Sequence, residues 1–219
     1  MESLQIKDLA FEYKQGKPLF TQISLSFKLN DITFLSGANG SGKTTFCRII
    51  SGLEKKYRGK VEIADQDLRS FSFAELAKIL VYLKQEPISN IIASEAEEDL
   101  KIWQFFSDSH EDVLSRERQS ALNKYEISSI SRKPNWELSG GQLKRIGLAA
   151  LLLKDNHYWI MDEPLAGLDD SLVSLLVKIL KERKLNGNGC LIVSHNEKVL
   201  KEIIDQYYII CDQKIKSRI

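Results

Sequence analysis

The sequence predicts an α/β fold, with helices packed on both faces of a parallel sheet. Three apolar runs, at 32–37 (ITFLSG), 157–162 (HYWIMD) and 190–194 (CLIVS), are short and uninterrupted, as strands covered on both faces are. Segments with a helical pattern occupy 44–51, 140–153 and 170–183. Because buried strands alternate with helices, the chain fits the pattern of an α/β core.

Two other regions differ from this core. Among the first 35 residues, the run QISLSFKL alternates apolar and polar side chains from Ile23 to Leu29, which is typical of a strand with one exposed face. The segment between Gln85 and Leu138 is charged and helical in pattern and has no β-runs. We interpret it as a helical insertion into the α/β core.

Composition indicates an ordinary globular protein. The 219 residues, 43% of them hydrophobic and 28% charged, fit one domain or one domain with an insertion. With 31 Lys and Arg against 30 Asp and Glu, the net charge of +1 gives no reason to expect a nucleic-acid partner. Three cysteines without paired spacing, Cys47, Cys190 and Cys211, indicate reduced thiols in a cytosolic protein.

The sequence also lacks the pattern of a membrane span. No apolar run approaches the roughly 18 residues that a span needs, and the N-terminus has no signal-peptide core. We therefore expect the chain to be soluble by itself and to associate with a membrane only through a partner.

The stretch GANGSGKTT, from Gly37 to Thr45, follows the first apolar run and precedes a helix. Its order, G-x-x-x-x-G-K-T, is that of a phosphate-binding loop, in which glycines let backbone N–H groups approach an anion. Lys43 is expected to reach the β- and γ-phosphates, and Thr44 to offer its hydroxyl to Mg²⁺. The alternative is a flexible turn that has the motif by accident.

Two carboxylates, Asp162 and Glu163, end the apolar run YWIMDE. We expect this strand to lie beside the one before the phosphate-binding loop, with Asp162 holding Mg²⁺ and Glu163 polarising the attacking water. The alternative is that the acids simply mark a strand end. His195 follows the run CLIVS and is a candidate donor to a γ-phosphate, although a histidine in this position is more often an ordinary surface residue.

The stretch LSGGQ, from Leu138 to Gln142, completes a set of six ordered motifs, with GANGSGKTT, YLKQEP around Gln85, YWIMDE, AGLD with Asp169, and His195. With it the chain resembles, over almost its full length, the nucleotide-binding subunit of an ATP-binding cassette (ABC) transporter. The resemblance implies a P-loop NTPase (RecA-like) core with an antiparallel β subdomain and an inserted α-helical subdomain. The implied ranges are 1–85 and 150–219 for the core with its β subdomain and 86–149 for the helical subdomain.

The resemblance also implies roles for individual residues. Lys43, Glu163 and His195 are the implied catalytic residues, and Thr44, Gln85 and Asp162 the implied Mg²⁺ ligands. Tyr13 is expected to stack on adenine, with Phe11 as the alternative, and Asp169 belongs to the D-loop. The remaining nucleotide contacts fall in the phosphate-binding loop, at Gly37, Ala38, Asn39, Gly40, Ser41, Gly42 and Thr45.

In this family two cassettes meet head to tail around two ATP molecules. Ser139, Gly140, Gly141 and Gln142 are therefore expected to contact the ATP of a second ABC subunit, identical or related, because a Ser-Gly-Gly turn opening a helix is itself an anion cradle. The implied partners also include integral membrane subunits, which would hold the chain at the cytoplasmic face of the membrane.

Finer features favour one type of transporter. The run QEPISNIIASEAEEDL, the small residue Ala150 and the lead-in PNWELSGGQ are similar to energy-coupling factor and cobalt-type import ATPases. Import of a vitamin or a metal ion is the function this implies. An exporter ATPase is the first alternative. A soluble ABC protein acting on ribosomes or DNA repair is the second, although such proteins usually carry two cassettes or a long coiled-coil insertion.

Overall fold

The computed structural model describes residues 3–105, 107 and 109–218. These residues contain ten strands and six α-helices, together with short 3-10 turns and loops. The strands are β1 (Ser3–Lys14), β2 (Lys17–Lys28), β3 (Ile32–Gly37), β4 (Arg58–Ile63), β5 (Gln66–Asp67), β6 (Leu80–Leu83), β7 (Tyr158–Asp162), β8 (Cys190–Val193), β9 (Gln206–Cys211) and β10 (Lys214–Ser217). The helices are α1 (Lys43–Ile50), α2 (Phe73–Leu76), α3 (Ala96–Trp103), α4 (Glu111–Lys124), α5 (Gly140–Leu152) and α6 (Asp170–Leu185).

The three apolar runs form neighbouring strands of a six-stranded sheet, in the order β10-β9-β3-β8-β7-β6. Strands β9, β3, β8, β7 and β6 are parallel, and β10 pairs antiparallel with β9. The α/β fold class is confirmed, and the predicted helices at 44–51, 140–153 and 170–183 correspond to α1, α5 and α6 within two residues at each end.

The expected adjacency of the two motif strands is wrong. Strand β8 lies between β3, which leads into the phosphate-binding loop, and β7, which ends in Asp162. The first four residues of each of these strands are buried and almost all apolar, so their sequences do not distinguish a central position from a neighbouring one. Helix α1 follows β3 in the chain and packs against β7. This packing brings the phosphate-binding loop close to the Asp162 carboxylate.

A second sheet is antiparallel, with the order β2-β1-β4-β5. One hydrophobic core joins this sheet and α1 to one face of the large sheet, through side chains such as Phe27, Phe46, Ile160 and Leu191. A second core packs α3, α4, α5 and α6 on the opposite face, through side chains such as Trp159 and Ile192. Neighbouring residues of β7 and β8 thus face different cores, which explains their uninterrupted hydrophobicity.

The described residues of the segment 86–139 contain α3, α4 and short 3-10 turns, and their one β-type contact is an isolated bridge between Glu95 and Pro134. The boundaries of a helical subdomain at 86 and 149 stay a prediction. Across the described ranges, every helix is too short or too polar to cross a bilayer.

Candidate active site

The phosphate-binding loop joins the end of β3 to the start of α1. Gly42, the residue before α1, has φ +106°, and a Cβ there would stand 2.7 Å from the Phe20 ring. Only glycine fits both the backbone and the space. No side chain caps α1 and its first turn has no acidic residue, so its free N–H groups and positive dipole end face the loop.

Lys43 crosses this loop. Its Nζ donates hydrogen bonds to the carbonyl oxygens of Gly37, at 2.8 Å, and Ala38, at 3.1 Å. The buried Ser41 Oγ has no hydrogen-bond partner in the described part of the chain. The loop therefore combines a positive charge, uncapped N–H groups and an unused hydroxyl, which together suit a phosphate.

Asp162 lies at the end of β7 with 1% of its surface exposed. Its Oδ2 accepts hydrogen bonds from Thr44 Oγ1, at 2.6 Å, and from the Tyr82 hydroxyl, at 3.3 Å. Burial raises the pKa of Asp162 above its usual value, and these two hydrogen bonds oppose the rise.

The residues near Asp162 fit a magnesium ion held in part by a nucleotide. No group of three or more His, Cys, Asp or Glu side chains suited to a metal occurs among residues 3–105, 107 and 109–218. Mg²⁺ is commonly bound through one or two protein oxygens, phosphates and water, and Thr44 and Asp162 supply such oxygens side by side. Gln85 lines the same cavity.

Glu163 follows β7 in a left-handed conformation, φ 50°, which is unusual for a residue with a side chain. Its N–H donates to the Val193 carbonyl, at 2.7 Å, and its Oε2 accepts a 3.0 Å hydrogen bond from Ser194 Oγ. The other oxygen, Oε1, lies 3.4 Å from His195 Nε2. One carboxylate oxygen is thus held in place, while Oε1 has no hydrogen-bond partner in the described ranges and remains a proton acceptor.

These groups meet at one cavity of about 750 Å³. Its lining consists of Tyr13, Leu19, Asn39, Gly40, Gly42, Lys43, Thr44, Thr45, Gln85, Asp162, Glu163, Ala166 and His195. The structure therefore brings together residues that the sequence separates by up to 182 positions, from Tyr13 to His195.

Tyr13 stands at the mouth of this cavity. The residue is 66% exposed, and its hydroxyl and Thr45 Oγ1 share a 2.9 Å hydrogen bond. Phe11 packs edge-on against it, with ring centroids 4.8 Å apart, and is only 5% exposed. Of the two aromatic candidates, Tyr13 is the one with a ring face available to a planar ligand.

The Ser139–Gln142 segment, called the signature turn below, opens α5. Ser139 Oγ accepts a hydrogen bond from the Gln142 N–H, and Gln142 Oε1 accepts one from the Ser139 N–H, so the two form a capping box. None of the four residues lines the 750 Å³ cavity. Asp169 caps α6 by accepting from the Leu172 N–H, at 3.0 Å, and from Ser171 Oγ, at 2.7 Å.

The loop that carries Gln85, called the glutamine loop below, is closed by Asn90, a residue that belongs to none of the sequence motifs. The buried Asn90 side chain accepts from the Lys84 N–H, at 2.8 Å, and donates to the carbonyls of Lys84 and Glu86. Its Cβ packs at Gly147 of α5, where an added Cβ would stand 3.6 Å from it and 2.8 Å from Leu83 Cδ1. The glutamine loop thus rests directly on the helix that begins with the signature turn.

Sequence reasoning also missed Tyr82, Ser194 and Lys144. Ser194 immediately precedes His195 and Lys144 follows Gln142 by two residues, so proximity to a motif was the available signal for both. Tyr82 lies in an apolar strand and carried no such signal. Burial, followed by the charges of Cys47 and Asp162, raises its pKa far above the usual value, so its hydroxyl stays a donor to Asp162.

Comparisons with known proteins agree with this arrangement. Residues 20–166 match the family model described as ABC transporter. The chain is 28% identical over 217 residues to the energy-coupling factor transporter ATP-binding protein EcfA of Methanocaldococcus jannaschii, covering 98% of this chain and 78% of that protein.

Two solved structures share the fold. A dimeric ATP-binding cassette, MJ0796, in a post-hydrolysis state bound to ADP and phosphate, superposes with a TM-score of 0.85 at 22% identity, covering 100% of this chain and 98% of that one. The protein cbiO1 of Clostridium perfringens, part of the ABC transporter complex cbiONQ, superposes with a TM-score of 0.78 at 24% identity, covering 97% and 86%.

Proposed function

The chain belongs to the ABC transporter family as an ATPase subunit, and on this premise we propose that it powers the import of a vitamin or a metal ion across a membrane. The convergence of Lys43, Asp162, Glu163 and His195 on one cavity beside an uncapped helix carries the ATPase part of the proposal. The similarity to the energy-coupling factor protein EcfA is what favours import. Each step of ATP hydrolysis has a residue suited to it within that space.

ATP would bind with its phosphates in the loop of residues 37–45 and its adenine on Tyr13. The N–H groups at the start of α1 would donate hydrogen bonds to the β-phosphate, and Lys43 would exchange its two carbonyl partners for phosphate oxygens. Thr44, Asp162 and Gln85 would hold Mg²⁺, which would supply positive charge to the phosphates. These three residues would also orient the γ-phosphate toward Glu163.

Hydrolysis would proceed by attack of a water oxygen on the γ-phosphorus. Glu163 Oε1 would accept a proton from that water as the new P–O bond forms and the bond to the β-phosphate oxygen breaks, giving ADP and phosphate. Ser194 holds the other carboxylate oxygen, so the base is oriented before the substrate arrives. His195, 52% exposed in its side chain, would donate to the γ-phosphate.

A second ATPase subunit, identical or related, would complete each site. Among the residues that the structure describes, nothing requires glycine at 140, where an added Cβ would meet no atom within 4 Å, or at 141, where the nearest atom would be 3.8 Å away. The space above the signature turn is therefore open to a group from outside the chain. The γ-phosphate of ATP bound to the other subunit fits this position, because two N–H groups at a helix start favour an anion.

Membrane subunits would dock on the groove beside Gln85. A cavity of about 390 Å³ is lined there by Thr44, Arg48, Leu53, Tyr82, Lys84, Gln85, Glu86 and Ser89. It shares Thr44 and Gln85 with the nucleotide cavity, and two exposed aliphatic side chains, Leu53 and Ile88, lie on or next to it. A partner bound in this groove would contact the loop that reaches the nucleotide, and the chain would sit peripherally at the cytoplasmic face.

The test is a pull-down of the tagged chain from detergent-solubilised membranes of its own host, followed by peptide identification. We expect integral membrane proteins in a fixed ratio, with their identity distinguishing import from export. Ile88→Asp should release them, whereas Val199→Asp, at another exposed aliphatic position, should retain them. Recovery of ribosomal or DNA-repair proteins alone would contradict the transport role and favour the soluble alternative.

A further inference from the structure

Lys144 is a buried cation that contacts the backbone at both ends of the turn from Glu163 to Ala166. Only 5% of its surface is exposed, and its Nζ donates hydrogen bonds to the carbonyl oxygens of Glu163, at 2.5 Å, and Ala166, at 2.7 Å. Among the described residues it makes no ion pair with a carboxylate. Its hydrogen bonds are directed to the backbone that carries the proposed base.

That placement is energetically unfavourable in two respects. Burial lowers the pKa of Lys144, and the nearby charges of Glu163 and Asp162 only partly oppose this effect. Glu163 itself has φ 50°, a strained conformation for a residue with a side chain. Strained or desolvated groups persist when the surrounding contacts fix them, and at this turn the Val193 carbonyl and the Lys144 ammonium provide those contacts.

Lys144 also belongs to the first turns of α5, two residues beyond the signature turn. The next residue, Arg145, pairs with Asp169, with its Nη2 3.1 Å from Oδ2. Consecutive side chains of one helix therefore hold both ends of the segment from Glu163 to Asp169. A movement of α5 relative to β7 would therefore change the hydrogen bond to the Glu163 carbonyl and the ion pair with Asp169.

We propose that Lys144 is a positioning residue that couples the signature turn to the catalytic base of the same subunit. This inference rests on the proposed function, in which the signature turn binds the ATP of the other subunit. When that turn engages a γ-phosphate, α5 is fixed at its start, and the Lys144 ammonium fixes the Glu163 backbone. Occupation of one ATP site then sets the geometry of the base at the other site.

The test compares three variants of the full chain: Lys144→Met, Lys144→Gln and, as a matched control, Lys154→Met. Lys154 is also partly buried, with its pKa lowered by burial, but it lies outside the cavity. The measurements are kcat, KM for ATP, the Hill coefficient for ATP, the Kd for a fluorescent ATP analogue and Tm.

We expect Lys144→Met to lower kcat about 10- to 100-fold, as misplacement of a reacting group does, with the analogue Kd changed less than about twofold and the Hill coefficient reduced toward 1. Lys144→Gln keeps an uncharged N–H donor group and should recover part of kcat, and Lys154→Met should match wild type. Unchanged kcat and Hill coefficient in Lys144→Met would overturn the proposal. A loss of kcat that is fully explained by a lower Tm and a weaker ATP affinity in both Lys144 variants would overturn it as well.

A Glu163→Gln control separates this inference from the function on which it rests. If Glu163→Gln is inactive while Lys144→Met hydrolyses ATP normally, only the role of Lys144 is wrong. If Glu163→Gln retains the wild-type rate, the assignment of the base is itself wrong, and the positioning role fails with it.

Discussion

The Thr44 hydroxyl donates a 2.6 Å hydrogen bond to Oδ2 of Asp162, joining the first turn of α1 to the end of β7 across the intervening strand β8. The two residues are 118 positions apart, and they lie together because α1 packs against β7. This pairing places the hydroxyl and the carboxylate as neighbouring ligands, and it leaves Asp162 desolvated.

The first prediction concerns the stability of the nucleotide-free protein. Burial raises the folded-state pKa of Asp162 above its unfolded value. The contribution of Asp162 to the free energy of unfolding is therefore greatest below the unfolded pKa, where the side chain is neutral in both states, and this contribution is lost as pH rises through the folded pKa. At neutral pH the buried carboxylate is therefore unfavourable. We therefore expect Asp162→Asn to raise Tm at pH 7.

Calorimetry across pH checks the sign. The gain from Asp162→Asn should shrink as pH falls through the raised pKa, because wild-type Asp162 then becomes neutral too. Asp112→Asn, at an exposed position in the first turn of α4, is the control and should show no such gain. A gain that grows toward acidic pH would contradict the assigned cause.

The second prediction concerns the base. Glu163→Gln keeps the hydrogen bond from Ser194 but removes the proton acceptor, so we expect ATP hydrolysis to fall by about 10²- to 10⁴-fold, with ATP affinity retained. Phosphate release and equilibrium binding measure the two effects separately. Glu182→Gln, in the exposed part of α6, should behave as wild type. Wild-type hydrolysis by Glu163→Gln in the assembled complex would refute the assignment.

The third prediction concerns the phosphate-binding loop. Gly42→Ala places a Cβ 2.7 Å from the Phe20 ring on a backbone with φ +106°, so the loop must change shape. We expect a loss of ATP affinity of at least about tenfold, since displaced N–H groups lose their phosphate contacts. Gly16→Ala shares the positive φ, +79°, but meets no atom within 4 Å, and it should reduce stability without affecting ATP binding.

The fourth prediction concerns the ATP site that two subunits are proposed to form together. Lys43→Ala should abolish ATP binding, and Gly141→Asp should place a negative charge where the second subunit's γ-phosphate is expected. If each site uses the loop of one subunit and the signature turn of the other, a mixture of the two variants contains dimers with one intact site. Hydrolysis should therefore return on mixing two inactive proteins. Continued inactivity of mixed dimers shown to form would indicate that both elements act within one chain.

How much of this arrangement the sequence predicts depends on how local each feature is. The phosphate-binding loop and the capping of α5 follow from residues adjacent in the chain, and the buried strands follow from their apolar runs. The position of β8 between β3 and β7 does not, because three strands of the same hydrophobicity can be ordered in several ways. Tyr82 and Asn90 were missed for a related reason: their roles depend on partners brought to them by tertiary packing.

The contact between Gly147 and Leu83 has a consequence for how this chain can diverge. A methyl group at position 147 would stand 2.8 Å from Leu83 Cδ1, so helix α5 and strand β6 meet with no space for a larger pair. We expect positions 83 and 147 to vary together among related sequences, with alanine or serine at 147 accompanied by a smaller residue at 83. A larger residue at one of these positions, without a smaller one at the other, would separate the glutamine loop from α5.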